Sequence, residues 1–113
     1  MLIHNSSFII QNFKEMLIRI VRMTFQEDKI EDFLEIFNRS KHLIRGFEGC
    51  QHLELLRDKS ASNVMLTYSY WHSEEHLNAY RDSELFKTTW ANTKVLFLDK
   101  PVAFSSERVE VVA

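Results

Sequence analysis

Residues 64–97, VMLTYSYWHSEEHLNAYRDSELFKTTWANTKVLF, hold both tryptophans, all three tyrosines and two of the five histidines of a 113-residue chain. Val64–Trp71 is rich in β-branched and aromatic residues, which predicts a strand. Ser73 ends it and opens a helix, because its hydroxyl can accept an unpaired N–H of the first turn and Glu74 and Glu75 sit at the positive end of the helix dipole. Asp82 and Ser83 repeat that signal ahead of Glu84. The segment reads as a strand that runs into a short helix over residues 74–81 and a longer one over 84–97.

Upstream, residues 16–25, MLIRIVRMTF, give a strand whose two alternating sets, Leu17, Val21, Met23, Phe25 and Ile18, Ile20, are both apolar, so both of its faces call for cover. Asp28 is positioned to cap the next element, in which Ile30, Phe33, Leu34, Phe37 and Ile44 recur at helical spacing. Acidic residues early and basic residues late in this helix match its dipole. Gly46 reads as a left-handed stop and Phe47–Gly49 as a turn. Residues 50–58 alternate as a strand with Leu53 and Leu55 on one face and His52 and Glu54 on the other. A polar hairpin loop follows, and after Pro101 residues 102–111 predict a last strand.

The order β-α-β-β-α-β is the ferredoxin-like α+β plan: a four-stranded antiparallel sheet with helices on one face. Its other face carries Ile18, Ile20 and an aromatic row, too apolar to leave wet. Covering roughly 600 Å² of apolar area per subunit would gain on the order of 15 kcal/mol before association costs. A homodimer is the expected solution.

Composition narrows the function. A net charge of −2 with no clustered basic face excludes a nucleic-acid binder. The lone Cys50 excludes an internal disulfide and a cysteine metal cluster, fits a reducing, cytoplasmic compartment, and reads as a small buried hydrophobe. No stretch reaches the length of about 20 apolar residues that crosses a membrane. Residues 1–15 lack a basic n-region and a cleavage site, and read as an extension outside a core domain over 16–113. No HExxH, phosphate-cradling glycine loop or nucleophile elbow occurs, so metal, nucleotide and acyl-transfer chemistry have no support.

Two motifs carry a resemblance. LTYSYWHSEEHLNAYRDSELFK is similar to the signature of the antibiotic biosynthesis monooxygenase domain: an aromatic strand ending in Trp, a Ser-Glu helix start, and a Ser-x-x-Phe a few residues later. FEGCQHLELLRD resembles the same family's turn into its second strand, and together the likeness spans about residues 16–110. It implies a dimeric α+β barrel and, among related activities, a cofactor-independent monooxygenase acting on a small hydroquinone-like aromatic. A non-catalytic or isomerase-like binding module of the same fold is the alternative. Trp71 stands at the family's strand-end Trp. Tyr80 and Leu85 stand where members commonly have histidines. Haem-degrading relatives have an axial His where this chain has Trp90 and an Asn where it has Val21, so the resemblance implies no haem and no other cofactor.

Such chemistry requires a dry slot, a proton acceptor or donor, and groups for the substrate anion. Tyr68, Trp71, Tyr80, Phe86 and Trp90, with Val21, are the candidate slot walls, although an i, i+4 pair such as Phe86 and Trp90 is more often a plain core stripe. His76, one turn before Tyr80, is a candidate base or a solvated helix residue, and Tyr80 the second catalytic candidate. His72 at the bend has the same two readings, while His42 is expected to face solvent. His52, Glu54 and Arg22 are expected to form a polar cluster in the dimer interface that fixes register.

Overall fold

Apolar residues on both alternating sets of Leu17–Thr24 make this strand, β1, an inner one. The computed structural model describes residues 16–113, so the expected N-terminal extension, residues 1–15, lies outside the described residues. With β2 (Cys50–Arg57), β3 (Val64–Trp71) and β4 (Val102–Glu107), β1 forms one antiparallel sheet in the order β2-β3-β1-β4. Helices α1 (Ile30–Arg45), α2 (Glu74–Arg81) and α3 (Glu84–Lys94) cover one face, completing the ferredoxin-like α+β fold. Among the described residues no helix is long and apolar enough to cross a membrane.

Register sorts the side chains. Leu17 pairs with Trp71, Val21 with Thr67 and Met23 with Met65 on the helix side, whereas Ile18 pairs with Tyr70 and Ile20 with Tyr68 on the other. Under the helices the core forms two clusters. Met23, Phe25, Phe33 and Met65 make one, against which Phe37, Leu55 and Phe97 pack. Cys50, Trp71 and Leu77 make the second, joined by Leu17, Phe47, Leu53 and Tyr80.

The serine caps behave as the sequence predicts. Ser73 Oγ accepts the N–H of His76 at 3.2 Å, and Ser83 Oγ accepts that of Phe86 at 3.1 Å. Elsewhere tertiary contacts move the boundaries. Asp28 does not cap α1. It lies inside a 3-10 turn, Glu27–Lys29, launched from Gln26, whose N–H is held by the Leu96 carbonyl at 3.0 Å. The same strip shortens α3 to Lys94, because Leu98 N–H donates to the Thr24 carbonyl at 2.8 Å and Phe25 bridges Phe97, pulling residues 96–98 out of the helix. β4 stops at Glu107 rather than 111, opposite Leu17, where β1 begins.

Gly46 is not a left-handed stop: its φ is −84°, inside the right-handed region. The left-handed residue is Gly49, at φ 90°, where a Cβ would come within 2.4 Å of the His76 side chain. Gly49→Ala should therefore lower unfolding free energy by about 1–3 kcal/mol in urea titrations, and Gly46→Ala by less than about 1 kcal/mol. Equal effects of the two would refute this account of the turn.

Candidate functional site

Short side chains at the centre of the helix-side sheet face, Val21, Thr67 and Ser69, leave space beneath α1 and α3 that larger residues would fill. The result is a cavity of about 290 Å³, walled by side chains of both core clusters, among them Met23, Phe33, Trp71 and Leu77. Trp71 is 1% exposed, and its indole N–H donates to Ser69 Oγ at 3.0 Å. Tyr80 stacks on it with ring centroids 4.9 Å apart, while Phe47 and Phe86 meet the Tyr80 ring edge-on at 5.4 and 5.3 Å. Phe86 in turn stacks on Trp90 at 5.9 Å. An aromatic wall thus runs from the end of β3 across α2 to α3, built by the i, i+4 spacing that also admitted a plain core reading.

Three of the hydroxyls in this cavity are already engaged. Ser40 Oγ donates to the Ile36 carbonyl at 2.8 Å, Thr93 Oγ1 to the Thr89 carbonyl at 2.7 Å, and Ser69 accepts the indole. The Tyr80 hydroxyl has no hydrogen-bond partner among the described residues. Burial, and secondarily the Cys50 side chain, push its pKa well above the usual phenol range, so it stays protonated and can donate a hydrogen bond but not act as a base. The Cys50 thiol is itself raised by burial.

Of the residues singled out from sequence, Val21, Trp71, Tyr80, Phe86 and Trp90 come together around the cavity. Tyr68 does not. By the alternation of β3 it points to the open face, its ring 5.3 Å from that of Tyr70. Nor does His76 reach the cavity. Its ring packs against Gly49, with Nδ1 2.7 Å from Ser73 Oγ, which makes it a brace for the turn. His72 and His42 are exposed. His52 and Glu54 do pair, at 3.4 Å, but no hydrogen bond or ion pair joins Arg22 to them: it lies opposite Leu66, and Arg108 instead sits 5.0 Å over the Tyr70 ring. Among the described residues no histidine lines the cavity, so its donor set does not fit a histidine-ligated haem. Among the described residues no three His, Cys, Asp or Glu side chains gather to hold a metal ion.

The sequence model of the antibiotic biosynthesis monooxygenase family matches residues 16–92. The chain belongs to this family. Solved structures agree on the fold. A provisionally named antibiotic biosynthesis monooxygenase from Caulobacter crescentus CB15 superposes with a TM-score of 0.80 at 20% identity, over 95% of this chain and 99% of that one. A conserved protein from Methanosarcina mazei Go1 gives 0.84 at 11% identity over 88% and 98%. SnoaB, a cofactor-independent oxygenase from Streptomyces nogalater, gives 0.77 at 13% identity over 87% and 97%. No curated protein sequence matches significantly.

Within this monooxygenase-family chain, sequence reasoning overlooked Ser69, Thr67, Arg19 and Arg81 as lining residues. The period of two counted back from Trp71 points to Ser69 and Thr67, and the same count excludes Tyr68. Because the Tyr80 phenol ionises less readily folded than unfolded, stability conferred by keeping it neutral is complete below the unfolded value near pH 10 and is lost as pH rises beyond it. Unfolding free energy should decline less steeply above about pH 10 in Tyr80→Phe than in the unsubstituted protein. Parallel declines would show that the phenol is not held neutral by the fold.

Proposed function

We propose that this chain is a cofactor-independent monooxygenase acting on a small hydroquinone-like aromatic. The observation that carries the reading is the Trp71–Tyr80 stack, which faces a cavity of about 290 Å³ with an unengaged phenol hydroxyl at its wall. A planar ring bound beside Trp71 would meet an apolar slot formed with Phe86 and Trp90, and the Tyr80 hydroxyl would donate a hydrogen bond to a substrate oxygen. Once ionised, the electron-rich ring reduces dioxygen itself. One oxygen atom forms a bond to a ring carbon that loses its hydrogen, and the other leaves as water, so that hydroquinone plus dioxygen gives hydroxyquinone plus water. The protein's part is to exclude bulk water, hold the ring and stabilise the developing charge. SnoaB, a cofactor-independent oxygenase that shares this fold, supports the same chemistry by fold-level analogy.

Oxygen uptake with a panel of hydroquinones is the test. Turnover should appear with at least one, and Tyr80→Phe should cut it by about five-fold or more, ~1 kcal/mol, without loss of fold. No uptake across the panel, with ligand binding intact, would leave a binding module of the same fold.

The working unit proposed is a homodimer. Ile18, Ile20, Tyr68, Tyr70 and Phe104 share the sheet face that no helix among the described residues covers, and Phe104 is 47% exposed in the single chain. Light scattering at micromolar concentration should give twice the 13.5 kDa chain mass, and Ile20→Asp should shift it to the monomer or unfold the chain, since an unpaired charge there would be buried. A mass of 13.5 kDa for the unsubstituted protein would refute the dimer.

A further inference from the structure

The charged groups in the cavity share one sign. Arg19 on β1 and Arg81 at the end of α2 both line it, and among the described residues no aspartate or glutamate does. Neither guanidinium has an ion-pair partner among the described residues, whose salt bridges are Lys29–Asp32 and His52–Glu54. Arg19 Nη1 donates to Ser105 Oγ at 3.1 Å, and Arg81 stands exposed at the rim. Burial, and then the like charge of Arg81, lower the pKa of Arg19, although a guanidinium keeps its proton at neutral pH. Two cations at one partly dry cavity repel each other, and the repulsion is relieved when an anion lies between them.

We infer that the cavity takes aromatic anions, with the ring against Trp71 and Tyr80 and a carboxylate or phenolate oxygen toward Arg19 and Arg81. This rests on the monooxygenase reading and narrows its substrate class. A phenol bound there is stabilised as phenolate, its O–H bond breaking with the proton passing to solvent at the rim. Ionisation then needs no histidine or carboxylate in the cavity, and the described residues supply neither there.

Binding of 2-naphthoate and of 2-naphthamide, matched in ring and different in charge, tests this on the intact protein under nitrogen, by tryptophan fluorescence and calorimetry. Naphthoate should bind about ten-fold tighter or more, and the gap should narrow with added salt. Arg81→Gln at the exposed rim and Arg19→Gln on β1 should each weaken naphthoate by about ten-fold while leaving naphthamide within about two-fold, which also reports that the cavity is still formed. Equal affinities in the unsubstituted protein, absence of naphthoate binding, or a preference that survives in the double variant would each overturn the inference. The assay consumes no oxygen. Naphthoate preference without turnover of any hydroquinone would remove the oxygenase reading alone, and turnover without that preference would remove this inference alone.

Discussion

The pairing of β1 with β3 is the constraint on which the rest of the structure depends. Leu17 opposite Trp71 and Met23 opposite Met65 set which residues meet the helices, and a slip of one residue would exchange the two faces entirely. Trp71 would then turn outward, and Tyr68 and Tyr70 would enter the helix layer. Correct register instead places Trp71 at the strand's end, beside the Ser73-capped start of α2, so that Tyr80 on that helix arrives directly over the indole.

The cavity follows from the division of the core. Bulky side chains gather at the Phe25 cluster and again at the Trp71 cluster, while the residues between them on the sheet are Val21, Thr67 and Ser69. Their hydroxyl-bearing neighbours bond inward to their own helices or to Trp71, which avoids the cost of buried unpaired groups. Facing the space are a neutral phenol and two guanidiniums. That combination suits an aromatic ring bearing an anionic oxygen better than an apolar ligand or a cation.

β2 shows how a small irregularity decides what a side chain does. Cys50 and His52 are two apart and in a regular strand would share a face. The register shift between them lets Cys50 pair with Trp71 on the buried side while His52 pairs with Tyr70 on the open one. The buried cysteine expected from composition and the open-face histidine expected from alternation are both found, and only the bulge makes them compatible.

Local chemistry in the sequence determined the strand-helix-helix segment, the serine caps, the apolar sets of β1 and the aromatic wall, because these depend on a period of two or 3.6 and on hydroxyls adjacent in the chain to the N–H groups they cap. The two family motifs likewise each lie in a short continuous stretch. Tertiary structure alone decided the rest. α1 starts at a turn hung from Gln26, and α3 ends early, because backbone groups about 70 residues apart bond each other. Gly49 and not Gly46 takes the left-handed conformation because the β2 entry must pass under His76. Arg19 and Arg81 reach one cavity only through the packing of the helices on the sheet, and residues brought together from so far apart in sequence leave no periodic trace along the chain.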